Sequence, residues 1–127
     1  MSSYVLVVKD PNAQAPVPSA WRDALDNIAN AIGRGDYKSL AGMAMIRPVS
    51  APLAEVIARN IRDYGVKLTD LPEDSWLTSV CQWMGGHWDV LVDLFSIEEG
   101  ASDLTLIVRV YEIGPDYIFE IQSVHVP

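Results

Sequence analysis

Hydrophobic positions along the chain follow one period before residue 65 and another after it. In the first part an apolar stripe recurs at steps of three and four, the spacing of one face of an amphipathic helix. The stripe comprises Trp21, Leu25, Ile28 and Ile32. After residue 65 apolar and polar positions alternate, which is typical of half-buried strands. Helices followed by strands predict an α+β fold.

The first part of the chain predicts one strand and two or three helices. Ser19 and Ser50 are placed to cap the first turns of two helices, and Gly65 is placed to end the second. A strand is predicted over 3–9, and a further helical turn over 36–44. The apolar face of the helix that Ser50 begins comprises Leu53, Val56, Ile57 and Ile61.

The second part predicts four strands in an antiparallel meander, with the helices packed on one of its faces. Tight turns at Gly85-Gly86 and Gly114-Pro115 and a longer acidic loop over 96–102 separate the strands. The predicted strands span Trp76–Met84, His87–Phe95, Leu104–Glu112 and Tyr117–Val126. The chain, residues 1–127, has the length of a single domain.

Closing these hairpins divides the side chains between two faces of the sheet. The inner face is apolar: Leu77, Cys81, Trp83, Trp88, Val90, Val92, Leu94, Leu104, Leu106, Val108, Val110, Phe119 and Ile121. The outer face is mixed: Trp76, Thr78, Gln82, Met84, His87, Asp89, Leu91, Asp93, Thr105, Arg109, Tyr111, Glu120 and Gln122. The same pairing places Arg109 between Asp89 and Glu120, and it places His125 on the inner face.

The net charge of the chain changes sign at nearly the same residue at which the hydrophobic period changes. The chain carries a net charge of −8, to which residues 1–67 contribute +2 and residues 68–127 contribute −10. A surface of one sign repels nucleic acid and anionic membranes and attracts basic proteins. The charge therefore predicts a basic protein partner and argues against nucleic acid and membrane. Acidity that serves solubility alone is the alternative, and composition by itself favours it.

The sequence contains little that indicates catalysis. It has no phosphate loop, dinucleotide fingerprint or metal-ligand spacing, so we predict no catalytic residue, no cofactor and no metal. The one cysteine, Cys81, excludes an intrachain disulfide and is expected in the core. The short apolar run near the N-terminus is unlike a secretion signal, which favours a cytoplasmic protein. The alternative is a pocket between helices and sheet that holds a small ligand or an enzymatic site.

Four sequence runs carry a family resemblance. They are Leu71-Pro-Glu-Asp-Ser-Trp76, Ser79-Val-Cys-Gln-Trp-Met84, Trp88-Asp-Val-Leu-Val-Asp-Leu94 and Glu99-Gly-Ala-Ser-Asp103-Leu104. Over roughly residues 48–127 the chain resembles a family of small, acidic, uncharacterised bacterial proteins. Its size, acidity and order of elements are also similar to cytoplasmic immunity proteins of bacterial toxin–immunity pairs, including contact-dependent growth inhibition systems. That second resemblance implies binding and neutralisation of a toxin domain, commonly a basic nuclease.

We therefore expect a non-enzymatic acidic protein-binding module, and specifically an immunity protein. Its acidic half would steer the chain onto the basic partner, and exposed aromatic side chains would anchor it there. The predicted contact residues are Asp89, Asp93, Glu98, Glu99 and Asp103, with Trp76 and Tyr111 as anchors. A homodimer that covers Trp76 and Met84 is a rival expectation.

Overall fold

The computed structural model describes residues 4–127, which form an α+β fold with four helices and a five-stranded antiparallel sheet. The helices are α1 (Arg22–Gly33), α2 (Tyr37–Ala41), α3 (Ala51–Tyr64) and α4 (Ser75–Thr78). The strands are β1 (Ala15–Pro16), β2 (Val80–Trp83), β3 (Trp88–Ser96), β4 (Gly100–Ile113) and β5 (Asp116–His125), in that order across the sheet. The predicted α+β class is confirmed. The sheet has five strands where the sequence predicts a four-stranded meander, and there are four helices where it predicts two or three.

Helix α1 buries the predicted stripe, but Ser19 does not cap it. A 3-10 turn over Ser19–Trp21 precedes the helix instead. The Ser19 hydroxyl accepts a hydrogen bond from the backbone N–H of Val5 at 2.8 Å, and the Ser19 N–H donates to the Val5 carbonyl at 3.0 Å. Ser19 therefore fastens the N-terminal segment rather than the first turn of a helix.

Helix α3 begins and ends where the sequence predicted. The Ser50 hydroxyl accepts from the backbone N–H of Leu53 at 3.2 Å, and Gly65 ends the helix with a left-handed φ of 87°. Ile57 is fully buried against the sheet, whereas Val56 is 40% exposed. The apolar face of α3 is thus narrower than predicted.

The strand predicted over 3–9 is wrong for the described residues, and Ser3 lies outside them. Residues 4–10 have no regular secondary structure. Side chains from elsewhere in the chain form hydrogen bonds with the backbone of this segment. The Ser19 hydroxyl accepts from the Val5 N–H, and the Trp88 indole N–H donates to the Val8 carbonyl at 2.8 Å. The first strand of the sheet is instead β1, which pairs with β2.

The strand predicted over Trp76–Met84 is wrong in its first half, because α4 occupies that stretch. Two serine hydroxyls replace the strand pairing along the edge of β3. Ser75 Oγ donates to the Asp93 carbonyl at 2.7 Å, and Ser79 Oγ accepts from the Asp93 N–H at 2.9 Å. Side chains that satisfy the backbone in this way compete with a strand ladder.

In helix α4 two neighbouring side chains have the reverse of the burial that the sequence predicts. Trp76 was expected at the surface but is only 6% exposed, and Leu77 was expected in the core but is 81% exposed. The Trp76 ring packs in the core with the Arg22 guanidinium 5.3 Å from its centroid. Both errors follow from applying a period of two to a helical turn.

Strand pairing around the Gly85-Gly86 turn agrees with the prediction. Trp83 lies opposite Trp88, and Arg109 lies between Asp89 on β3 and Glu120 on β5. These pairs fix which side chains share the outer face.

Two β-bulges shift the pairing elsewhere. In the pairing of β3 with β4, a bulge brings Phe95 opposite Ala101, and the loop predicted over 96–102 becomes a shorter turn. In the pairing of β4 with β5, a second bulge places His125 opposite Thr105. Because Thr105 pairs with an outward residue of β3, His125 lies on the outer face and not on the inner face as predicted.

The core fills the space between the helices and the inner face of the sheet. Trp21 and Trp88 meet edge to face in it, with ring centroids 5.1 Å apart. Its largest fully buried side chains are Trp21, Trp88, Leu25, Ile28, Leu40, Ile57, Leu104, Leu106, Val17, Val90, Val92 and Val108. At roughly 1.5–3 kcal/mol per large side chain, this burial is the main source of stability. Over residues 4–127, no helix has both the length and the apolar character needed to cross a membrane.

Candidate functional site on the outer face of the sheet

The outer face of the sheet is the face turned away from α1 and α3. Within residues 4–127, five half-buried apolar side chains on this face do not belong to the core packing: Val80, Leu91, Phe95, Ile107 and Ile118. Val80 lies opposite Leu91, and Leu91 lies opposite Ile107. Opposite side chains on neighbouring strands lie about 5 Å apart, so these three make a continuous strip, the apolar row.

A row of alternating charge runs beside the apolar row. Asp89 Oδ1 lies 3.0 Å from His87 Nε2 and 3.7 Å from Arg109 Nε. Glu120 follows on β5, opposite Arg109, and forms an ion pair with Arg47. Asp89, Arg109, Glu120 and Arg47 together form the charged row. Each of its carboxylates is thus held by a cationic neighbour.

Arg47 reaches this face from the segment between α2 and α3. Its backbone N–H donates to the Phe119 carbonyl at 2.9 Å, and its guanidinium lies 4.9 Å from the centroid of the Tyr111 ring. Hydrogen bonding from Arg47 above all, with a further bond from Gln122, lowers the pKa of the Glu120 carboxyl against the opposing effect of burial. Glu120 therefore stays ionised at neutral pH.

Tyr111 lies beside the charged row and contacts both His87, the neighbour of Asp89, and Glu120. Its ring centroid lies 5.6 Å from that of His87, and its hydroxyl donates to Glu120 Oε1 at 3.4 Å. The ring is half-buried on the outer face, where the sequence placed it. Tyr111 thus has an apolar body and a fixed polar end, a combination that is common in protein interfaces.

Asp93, Thr105 and His125 lie on the opposite side of the apolar row. Asp93 pairs with Thr105, which pairs with His125. The backbone of Asp93 is held by the two serine hydroxyls of the α4 region, and its side chain is half exposed. His125 Nδ1 lies 2.9 Å from the Ser123 hydroxyl. In the described part of the chain, no three His, Cys, Asp or Glu side chains are grouped so that they could hold a metal ion.

Glu98, Glu99 and Asp103 lie apart from these rows, at the end of the β3–β4 hairpin. Glu98 Oε1 accepts from the Lys67 N–H at 3.0 Å, and Glu99 Oε1 accepts from the Tyr64 hydroxyl at 2.7 Å. The Tyr64 oxygen in turn accepts from the Asp103 N–H at 3.0 Å. The three acidic residues, named here the acidic hairpin, are thereby tied to the end of α3.

The structure separates the predicted contact residues into three places. Asp89, Asp93 and Tyr111 share the outer face, and the acidic hairpin holds three more. Trp76 is buried in the core, which corrects its expected role as an exposed anchor. The face is also less negative than predicted, because arginines accompany Asp89 and Glu120. Among residues 4–127, neither Asp93 on this face nor the carboxylates of the acidic hairpin at the end of the sheet have a cationic partner within ion-pair distance.

On this face the apolar row, and not Trp76, leaves apolar side chains partly exposed. Sequence reasoning noted Leu91 at an outward position but did not identify its neighbours Val80 and Ile107. The available signal was a β3 sequence with apolar residues at consecutive positions, from Val90 to Val92. Such a run indicates a strand with apolar side chains on both faces.

Comparison with known protein families gives a match over most of the chain, from residue 29 onward. A family model described as a domain of unknown function (DUF7668) matches residues 29–127. This range contains strands β2 to β5, and therefore both rows of the outer face and the acidic hairpin. No curated protein and no solved structure matches the chain.

Proposed function

The chain belongs to the family defined by the domain of unknown function DUF7668, and we propose that it is a non-enzymatic module that binds a basic protein with the outer face of its sheet. The observation that carries the proposal is the apolar row. It leaves three apolar side chains partly open to solvent on the face turned away from α1 and α3. A partner that covered this strip would remove apolar surface from water, at roughly 25 cal/mol per Å².

The charged row supports this function because its side chains are already held in place. His87 and Arg109 fix Asp89, and Arg47 fixes Glu120. Ordering a long side chain on binding costs about 0.5–1.5 kcal/mol, and prearranged groups avoid much of that cost. An apolar centre with a polar border is the usual anatomy of a protein interface.

The sign of the charge supports a basic partner. Asp93 borders the apolar row, and the acidic hairpin adds carboxylates beyond it, in a chain of net charge −8. Such a field raises the association rate with positively charged proteins and disfavours acidic ones. In its specific form the proposal is an immunity protein, which would cover the active site of a basic toxin domain.

The proposal is tested by using the tagged chain to capture proteins from a lysate of the source organism. Leu91→Lys places a charge in the apolar row. Val56→Lys is the matched control, because Val56 is exposed on α3, on the other side of the sheet. We expect the wild-type chain and Val56→Lys to retain the same basic protein, and Leu91→Lys to retain at least tenfold less. Equal retention by all three chains, with circular dichroism confirming the fold of each, would contradict the proposal.

The immunity form has its own test, since binding alone does not establish it. The captured protein is assayed for nuclease activity with and without an equimolar amount of the chain. We expect activity that the wild-type chain suppresses and Leu91→Lys does not. A captured protein whose activity is unchanged in the complex would leave the binding module standing and overturn the immunity form.

A further inference from the structure

A groove opens where α1 faces the turn between β4 and β5, and its volume is about 620 Å³. Ala20 and Ala24 form one side, and Met43 and Met45 contribute flexible thioether side chains. Asp23 and Asp116 are exposed lining residues, and the lining contains neither lysine nor arginine. The groove thus combines apolar side chains with two exposed carboxylates.

Met45 occupies a strained backbone conformation in this groove. Its φ of 69° is left-handed, and it is the one residue other than glycine with a positive φ among residues 4–127. The Met45 carbonyl accepts from the Phe119 N–H at 2.8 Å, which fixes the conformation. Glycine would adopt this φ without strain. The chain instead has a methionine that is 48% exposed in the groove.

The two properties of the groove select one kind of ligand. Methionine side chains adapt to bulky apolar groups of different shapes, so Met43 and Met45 fit an aromatic or long aliphatic side chain. Asp23 on α1 and Asp116 at the start of β5 would attract a cation beside that group. Strained residues that persist in a fold cluster at binding sites.

We propose that this groove binds a short peptide segment of another protein in which a bulky apolar side chain is flanked by lysine or arginine. The proposal does not rest on the function proposed for the outer face. The groove is built from α1, the segment before Arg47 and the β4–β5 turn, and it can bind a peptide whether or not the apolar row binds a partner.

The probes are two capped tripeptides, Lys-Phe-Lys and Glu-Phe-Glu, and the readout is NMR of the chain with ¹³C-labelled methionine methyl groups. We expect Lys-Phe-Lys to shift the Met43 and Met45 signals and to leave Met84 in place. Met84 is a matched internal control, because it is 52% exposed at the β2–β3 turn, outside the groove. We expect Glu-Phe-Glu to shift none of them.

Three results of this NMR titration would overturn the proposal. The first is a Met45 signal that does not move at about 5 mM Lys-Phe-Lys, a concentration above the dissociation constant of a weak millimolar ligand. The second is an equal shift with Glu-Phe-Glu. The third is a Met45 signal that moves with protein concentration alone, which would show that a second copy of the chain occupies the groove.

Three variants separate binding from folding. Met45→Gly relieves the backbone strain, so it is expected to keep the fold at equal or higher thermal stability while weakening Lys-Phe-Lys binding at least fivefold, as followed on the Met43 signal. Met84→Gly should leave the affinity unchanged. Asp23→Asn together with Asp116→Asn should weaken binding about threefold and reduce its salt dependence. Wild-type affinity in Met45→Gly would contradict the proposal, because the peptide would then not contact the Met45 side chain.

Discussion

Asp89 Oδ1 lies 3.7 Å from Arg109 Nε, on adjacent strands of the outer face. Both side chains are partly exposed, at 33% and 44%. An ion pair in such a position contributes at most about 1 kcal/mol to stability, since water already solvates both charges well. The pair therefore contributes more to the arrangement of charge on this face than to the free energy of folding.

Breaking this pair is expected to have little effect on stability. Asp89→Asn and Arg109→Gln should each lower the free energy of unfolding by less than about 1 kcal/mol in urea denaturation followed by tryptophan fluorescence. A loss of about 3 kcal/mol or more would show that the charged row is a structural network instead.

Trp76 and Leu77 provide a second comparison, because they are neighbours with opposite environments. Trp76→Ala empties a core position and should lower the free energy of unfolding by about 3–5 kcal/mol. Leu77→Ala changes a side chain that is largely in solvent and should stay within about 0.5 kcal/mol of wild type. Chemical denaturation measures both values. A larger loss in Leu77→Ala than in Trp76→Ala would favour a strand over α4 in this stretch, since the strand would bury Leu77 and expose Trp76.

These two residues also show how far a sequence pattern can predict this fold. The turn glycines and the alternation in β3 to β5 predicted most of the meander, because a hairpin turn determines its own strand pairing. Alternation failed at Trp76, where the Ser75 and Ser79 hydroxyls bond to the β3 backbone. Those bonds form between distant parts of the chain, and a local pattern does not contain them.

The candidate site was predictable to a similar extent. The pairing of Asp89 with Arg109, and the position of Tyr111, followed from counting residues back from the turns. The position of His125 could not be obtained by such counting, since it depends on a bulge that no residue pattern indicates. The groove around Met45 was also missed, because its left-handed φ arises from pairing with Phe119, far away in the sequence.

Cys81 should be unreactive in the folded chain. Burial raises the pKa of its thiol to about 11, so that almost no thiolate is present at pH 8. Alkylation by iodoacetamide at pH 8, followed by mass spectrometry, is expected to be at least tenfold slower in buffer than in about 6 M guanidinium chloride. Comparable rates in the two conditions would show that the thiol is accessible in the native state.

Asp26 is expected to make stability depend on pH. Its Oδ1 is buried with no hydrogen-bond partner in the described structure. Burial foremost, and then the nearby Asp23, Glu73 and Asp70, raise the pKa of its carboxyl above the usual value of 3.8. Because the folded pKa is the higher one, the contribution of Asp26 is fully present below the unfolded pKa. It is lost as the pH rises through the folded pKa.

Asp26→Asn removes this ionisation and tests whether the ionised carboxylate lowers the stability of the fold. The amide lies one turn before Asn30 on α1, a spacing at which the two side chains can bond. Asp26→Asn should be more stable than wild type by at most roughly 1 kcal/mol at pH 7. The difference should shrink as the pH falls through the folded pKa of Asp26 and be smallest below about pH 4. Denaturation at several pH values gives the comparison. A variant that is less stable at pH 7 would show that the ionised carboxylate is favourable.

The proposed contact between the outer face of the sheet and a basic protein is tested by photo-crosslinking in growing cells of the source organism. p-Benzoylphenylalanine is placed at the position of Ile107, in the apolar row, and in a second chain at the position of Val56, on α3. We expect a crosslink to a basic protein at position 107 and none to that protein at position 56. Crosslinking of the same protein at position 56 but not at position 107 would contradict it.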